Sequence, residues 1–192
     1  MILPITAYGT PVLKRKAEPI TEDYPKLAEL IDSMFETMYD ANGVGLAAPQ
    51  VGLSIRIFVV DASPFSEDEE EDNSHLAGFK KVFINPEIID EEGELWSFEE
   101  GCLSIPGIRE AVERQEQVTL TYFDESFKKH SETFDGYAAR IIQHEYDHLE
   151  GVLFTDKISP LKKSLLKSKL ANIAKGKVNV GYRMKFPQAK RR

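Results

Sequence analysis

The chain has a single cysteine, Cys102, among 192 residues. No disulfide can form within it, so the fold must stand on packing alone, and an unpaired thiol fits a reducing compartment. Long apolar runs are also missing: nothing approaches the roughly 20 residues that cross a bilayer as a helix. The opening residues 1–13 are apolar but broken by Pro4, Tyr8, Gly9 and Pro11, and the basic Lys14, Arg15 and Lys16 come after them. A secretory signal has its basic residues first. These absences lead us to expect a cytoplasmic protein with no membrane partner. Internal repeats are lacking as well, and an apolar content of 42% with 29% charged residues is that of an ordinary globular domain. At this length one domain with one substantial core is expected.

Acidic residues are missing from the whole C-terminal region. Residues 157–192 hold 12 Lys and Arg and no Asp or Glu, whereas the rest of the chain sets 12 basic residues against all 32 acidic ones. A basic tail of this kind meets an anionic surface, which is either a partner such as RNA or an acidic protein face, or the acidic body of its own chain.

Residues 24–40 place Leu27, Leu30, Ile31, Met34, Phe35 and Met38 at helical spacing, with Thr21 as a cap near the start and Asn42-Gly43 as the stop. Residues 43–50 (G-V-G-L-A-A-P-Q) read as a tight loop of small residues, and residues 55–61 (I-R-I-F-V-V-D) as a short buried strand. Residues 63–81 contain the run S-E-D-E-E-E-D-N-S and read as a solvated surface loop. Strands are expected at 82–90 and 94–98 around a turn at Glu91-Glu92-Gly93, at 117–123, and at 129–134 as the return arm of a hairpin. Residues 137–149 read as a helix between Gly136 and Gly151. Ser159-Pro160 opens another, with Leu161, Leu165, Leu166, Leu170 and Ile173 on one face; Gly176 ends it and residues 178–186 add a last strand. The order predicts an α+β fold, with antiparallel sheets packed around a central helix in a single domain.

That central helix carries H-E-Y-D-H at residues 144–148. Residues four apart lie about 40° apart around a helix axis. The imidazoles of His144 and His148 therefore reach one metal ion while Glu145 points toward the same pocket as a general base. Catalytic sites of the zinc type take three protein ligands and leave one position for water. Cys102, in E-G-C-L-S-I-P just after a strand, is the natural third; His75 lies in the acidic loop and His130 in a polar hairpin. A lone cysteine is also commonly a buried core thiol, and the residues alone leave that open. No His follows His148 and no acid follows Asp156, which weighs against a metallopeptidase that takes its third ligand downstream. A nucleic-acid-binding module with a closed structural metal site would need a fourth ligand, and only three convincing ones exist.

Three segments read together go further. G-V-G-L-A-A-P-Q (residues 43–50), E-G-C-L-S (100–104) and Q-H-E-Y-D-H (143–148) resemble, in order, the signature motifs of peptide deformylases: G-Φ-G-Φ-A-A-x-Q, E-G-C-Φ-S and H-E-Φ-D-H, with Φ apolar. The resemblance runs over residues 8–160 and includes I-P-x-x-R at 105–109. It departs at the acidic segment 67–72, an insertion against the shortest members, and in the strand-like end after Gly176, where other forms finish in a helix.

The resemblance implies hydrolysis of the N-formyl group from the N-terminal formylmethionine of nascent polypeptides, with release of formate. The cofactor would be one divalent ion held by Cys102, His144 and His148. Fe(II) is the implied working ion, with Zn, Ni or Co as substitutes that the same donors suit. The Gln50 side-chain amide and the Leu103 backbone N–H are the implied donors to the oxyanion. Gly43, Gly45, Ala47 and Ala48 would let the backbone come close to an extended substrate pairing as an added strand, with Gly45 and Gly101 in closest contact. Val44, Phe98, Tyr137 and Ile141 either form the methionine pocket or belong to the core, and Arg109 either pairs with Glu100 or contacts substrate. Gln143 and Asp147 are expected just outside the ligands. On this reading residues 1–160 are the catalytic metallohydrolase domain and residues 161–192 a basic helix and strand extending it. The partners are nascent formylmethionyl peptides and, through the basic tail, the ribosome; DNA is not among them.

Overall fold

A computed structural model describes residues 1–67 and 72–187. The first helical stripe folds as α1 (Leu27–Asp40). It begins at Leu27 rather than Tyr24 because Tyr24 precedes Pro25, which disfavours helical backbone, and Lys26 sits at φ 56°, outside the helix. Ile31, Met34, Phe35 and Met38 are buried against Leu46, Val59 and Ile84. Burial of such a side chain stabilises by roughly 1.5–3 kcal/mol.

The strands β2 (Gly45–Ala47), β3 (Ile57–Asp61), β4 (Lys80–Cys102), β5 (Ile105–Phe123) and β6 (Lys129–Asp135) form one antiparallel sheet in that spatial order. Near the termini β1 (Ile5–Thr6) pairs in parallel with β7 (Met184–Lys185). The expected final strand over 178–186 is therefore confined to two residues.

The expected turn at 91–93 is not there. Strand β4 runs through it, with Glu92 opposite Gln117 and pairing resumed at Leu95 opposite Gln115. One extra residue on β4 makes this a bulge, which Gly93 accommodates at φ +87°. Strand β5 starts at Ile105, well before the expected residue 117. Residues 109–117 (R-E-A-V-E-R-Q-E-Q) are too charged to read as a strand, yet they pair with β4 throughout and bury Val112 and Arg114.

The H-E-Y-D-H segment lies on α2 (Gly136–Leu149), which packs against β2, β3, β5 and β6. Small Ala138 and Ala139 let this helix sit close to the sheet, and Ile142 and Leu149 join them in a core with Phe58, Phe83 and Leu120.

The last helix, α3 (Pro160–Ala174), is capped by Ser159 Oγ, which accepts the Lys162 N–H at 3.3 Å. Only Leu166, Leu170 and Ile173 of its expected apolar face are buried; Leu161 and Leu165 are 71% and 73% exposed. The two sets point about 125° apart around the axis, so five leucine-type positions spread over two faces. The buried face meets Ile105, Ile108, Val112 and Phe154.

The acidic segment holds short 3-10 turns at Ser63–Glu67 and Ser74–Leu76. It is not uniformly solvated: Leu76 is buried, and Phe65 stacks on Tyr137 at 4.5 Å between ring centroids. The central acids of the expected insertion, residues 68–71, lie outside the described residues, as do the last basic residues of the tail, Lys190, Arg191 and Arg192.

Candidate metal centre

Strand alternation puts Glu100 and Cys102 on the same, buried face at the end of β4. Helical spacing puts His144 and His148 together on α2, four residues apart. Where strand end and helix meet, one ligand atom from each of Cys102, His144 and His148 lies within 4.8 Å of the others. Cys102 Sγ is 3.3 Å from His148 Nε2.

The outer nitrogen of His144 is occupied. Its Nδ1 lies 2.9 Å from Glu100 Oε2, which leaves Nε2 as the ligand nitrogen. Glu100 in turn is gripped by two arginines: Arg114 Nε donates to Oε1 at 2.6 Å and Nη2 to Oε2 at 3.0 Å, while Arg140 Nη1 donates to Oε1 at 2.9 Å. Arg114 Nη1 also donates to Asp147 Oδ2 at 2.8 Å. Burial works against the Glu100 carboxylate, but the hydrogen bonds and charges of His144 and Arg114 outweigh it and hold its pKa far below the usual range. Burial likewise works against charge on His144. Hydrogen bonds to Cys102 and Glu100 prevail and raise its pKa well above normal. At His148 burial and then the neighbouring His144 charge push the other way, so its pKa falls well below normal and the ring is neutral, as a ligand must be.

Glu145 is buried, and its Oε2 finds no hydrogen-bond partner. Burial, the largest influence, pushes its pKa up to about 7. The carboxylate lies against Gly45, where a Cβ would come within 2.5 Å of Oε1. Gly45 is thus needed for close approach rather than for backbone freedom. Gln50 is buried in a short 3-10 turn (Ala48–Val51). Its Oε1 accepts the Ala47 N–H at 2.8 Å, which turns Nε2 toward Cys102 Sγ and Ser104 Oγ, each at 3.4 Å.

Several of these groups line one cleft of about 650 Å³, with His148, Arg114 and Asp147 outside its lining. Gly43, Val44 and Gly45 form one side of it. Phe98, Gly101, Leu103 and Arg109 lie on its lining at the β4 and β5 ends, and Tyr137 and Ile141 come from α2. Cys102, His144, Glu145 and Gln50 share it. Phe98 and Tyr137 meet edge to face at 5.5 Å. Arg109 does not pair with Glu100; its Nη2 donates to the Glu99 carbonyl at 2.8 Å. Gln143 faces away from the ligands and donates to the Gln115 carbonyl at 3.0 Å, whereas Asp147 supports Arg114.

Sequence reasoning missed four contributors. Glu100 is legible in retrospect, because position i−2 from Cys102 on a strand shares its face. Arg140 lies four residues before His144 and so shares its helix face, whereas Arg114 comes from a segment whose spacing shows no link to the motif. Tyr182 lines the cleft from beyond α3, and its hydroxyl donates to the Leu103 carbonyl at 2.8 Å. Burial, and then the Cys102 charge, push that phenol up to about 12, so it stays a donor.

A thiol and two imidazoles this close together, one ring anchored by a carboxylate, suit a borderline divalent ion. A family model described as polypeptide deformylase matches residues 2–164. The peptide deformylase of Christiangramia forsetii is 63% identical over 100% of this chain and 99% of its own length, and that of Flavobacterium johnsoniae is 60% identical over 100% and 99%. Among solved structures, a peptide deformylase from Legionella pneumophila is 40% identical, with a TM-score of 0.77 over 92% of this chain and 98% of that one. One from Plasmodium falciparum is 37% identical, with a TM-score of 0.78 over 90% and 95%. The chain therefore belongs to the polypeptide deformylase family, metal-dependent hydrolases that remove the formyl group from N-formylmethionyl peptides.

Proposed function

We propose that Cys102, His144 and His148 hold one divalent ion and that Glu145 carries the proton transfers of deformylation at the same spot. The observation that bears most weight is the convergence of the three ligand atoms within 4.8 Å beside a buried, unpartnered carboxylate. When bound, such an ion lowers the pKa of a water to about 7 and polarises the formyl carbonyl. Glu145 takes the water proton and delivers it to the amine, which leaves poorly unless protonated. Its raised pKa fits a group that must both accept and give a proton near neutrality. Gln50 Nε2 and the Leu103 N–H donate to the oxyanion that develops on the formyl oxygen; losing one such donor costs about 10²–10³ in kcat.

Val44, Phe98, Tyr137 and Ile141 supply the apolar methionine pocket, and Gly43, Gly45 and Gly101 let an extended substrate approach the backbone. Arg109, tied to the Glu99 carbonyl, lines the same cleft and would contact the chain beyond methionine. Fe(II) is the working ion on this reading, with Zn, Ni or Co able to replace it. A thiolate beside Fe(II) is open to oxidation, so activity with the native metal is expected to be air-sensitive.

Residues 1–160 form the catalytic domain and residues 161–192 its extension, in a protein placed in the cytoplasm. Among the described residues no helix is long and apolar enough to cross a membrane. Part of the tail's charge is spent on its own body: Lys157, Lys162 and Lys163 pair with Asp147, Glu110 and Asp156. The remaining cations of α3, Lys167 and Lys169, are exposed and available to ribosomal RNA near the exit of the nascent chain.

The test compares turnover of a formyl-methionyl peptide with that of the same peptide unformylated, using anaerobically prepared protein of measured metal content. Formate release from the first and no cleavage of the second is the expected result; internal cleavage of the second overturns the reading.

A further inference from the structure

The link between β4 and β5 is only two residues long. Cys102 pairs with Ile105, and Leu103 and Ser104 make the turn between them. Both of the turn's carbonyls are held by the terminal segments of the chain. Ser104 O accepts the Tyr8 N–H at 2.9 Å, and Leu103 O accepts the Tyr182 hydroxyl at 2.8 Å. The two segments are themselves joined, with the Ile5 N–H donating to Arg183 O and the Ala7 N–H to Lys185 O, both at 2.8 Å. Tyr182 thus stands beside a fixed backbone, and with Val180 and Gly181 it lines the substrate cleft. On the far side, the Leu103 side chain presses on Gly43, where a Cβ would meet Leu103 Cδ1 at 2.8 Å. The turn is clamped between the two.

We propose that Tyr182 is a positioning residue for deformylation: by holding the Leu103 carbonyl it fixes the turn whose N–H receives the oxyanion. This rests on the reading above, which gives the Leu103 N–H that task. Tyr182 lies beyond Ser164, the last residue matched by the family model, so the C-terminal extension completes the catalytic cleft as well as the fold. A turn held at one carbonyl by a side-chain hydroxyl keeps its neighbouring peptide group in place. With that bond gone, the donor spends less time aligned, and an interaction that matters most in the transition state is the one that suffers.

Tyr182→Phe keeps the ring in the cleft wall and removes only the hydrogen bond. Steady-state turnover of a formyl-methionyl tripeptide is expected to show kcat lowered about tenfold, a fraction of the loss for an oxyanion donor itself. KM, metal content and melting temperature are expected to stay near those of the unaltered protein. A kcat within twofold of the unaltered protein overturns the proposal. So does a fall in kcat that follows lost metal or a lowered melting temperature, which is how a purely structural residue behaves. Gln50→Ala and the unaltered protein are assayed alongside. If the unaltered protein releases no formate, the proposed function itself fails; if it does and Gln50→Ala is impaired, the Tyr182 result stands by itself.

Discussion

Gly45 and Glu145 are in such close apposition that no side chain fits between them: a Cβ at position 45 would lie 2.5 Å from Glu145 Oε1 and 2.9 Å from Cδ. The carboxylate is held in place by the bareness of the strand opposite. Gly45→Ala is expected to displace Glu145 and lower kcat by about 10²-fold, on the scale of lost general acid–base catalysis, while the metal content is unchanged. Formate-release kinetics and metal analysis on the same sample check this, and full activity in the alanine variant would contradict it.

Arg114 is a buried cation that braces two acids, Glu100 and Asp147. Its removal leaves Glu100 charged and short of partners beneath His144. Arg114→Met should destabilise the fold by about 3–5 kcal/mol, the usual cost of breaking a buried pair from one side. Denaturant unfolding measures the loss. Metal affinity should fall with it, because His144 loses the anchored carboxylate that orients its ring.

Metal uptake should release protons. In the metal-free protein His144 is raised well above its ordinary pKa and Glu145 is raised to about 7. A raised pKa means the proton is held at neutral pH, and His144 must lose it to bind an ion. Apparent affinity is therefore expected to weaken as pH falls. Titration calorimetry in buffers of different ionisation enthalpy should report at least about one proton released per ion near neutrality. Binding that is independent of pH and releases none would contradict this.

How much of this was legible in the chain differs by element. The periodicity of α1 and α2 is dictated by local apolar spacing, so both helices could be read directly. The long β4–β5 ribbon could not. Its outer half is charged and half-solvated, and it is strand only because each arm pairs with the other across many residues. The bulge at Gly93 looks like a turn for the same reason: a glycine beside two acids carries no mark of what lies opposite. Among the site residues, the two histidines announce themselves by spacing on one helix. Cys102 stands out by its place after a strand and by elimination of the other histidines, but only motif order separates a ligand from a core thiol. Arg114 was invisible, since its role exists only where α2 crosses β5; Arg140 stands one turn before His144, but nothing in the spacing names Glu100 as its partner. Leu161 and Leu165 show the reverse error: an apolar pattern is present, but this face of α3 has no partner among the described residues.

The basic tail offers a separate check. Lys167→Glu with Lys169→Glu should reduce co-sedimentation with ribosomes at low salt and leave turnover of a free formyl-peptide unchanged. Binding by the unaltered protein should weaken as salt is raised; undiminished association of the double variant would remove the tail from the account.

The most direct measurement is formate release by Glu145→Gln protein that retains its metal. The variant keeps the size of the side chain and all three ligands but cannot take a proton. The account predicts one ion per chain, bound with a sulfur in its coordination shell, and a kcat lowered by about 10²–10⁴-fold. Near-normal turnover in this variant, or an ion bound without sulfur, would show that the chemistry is not done by this constellation.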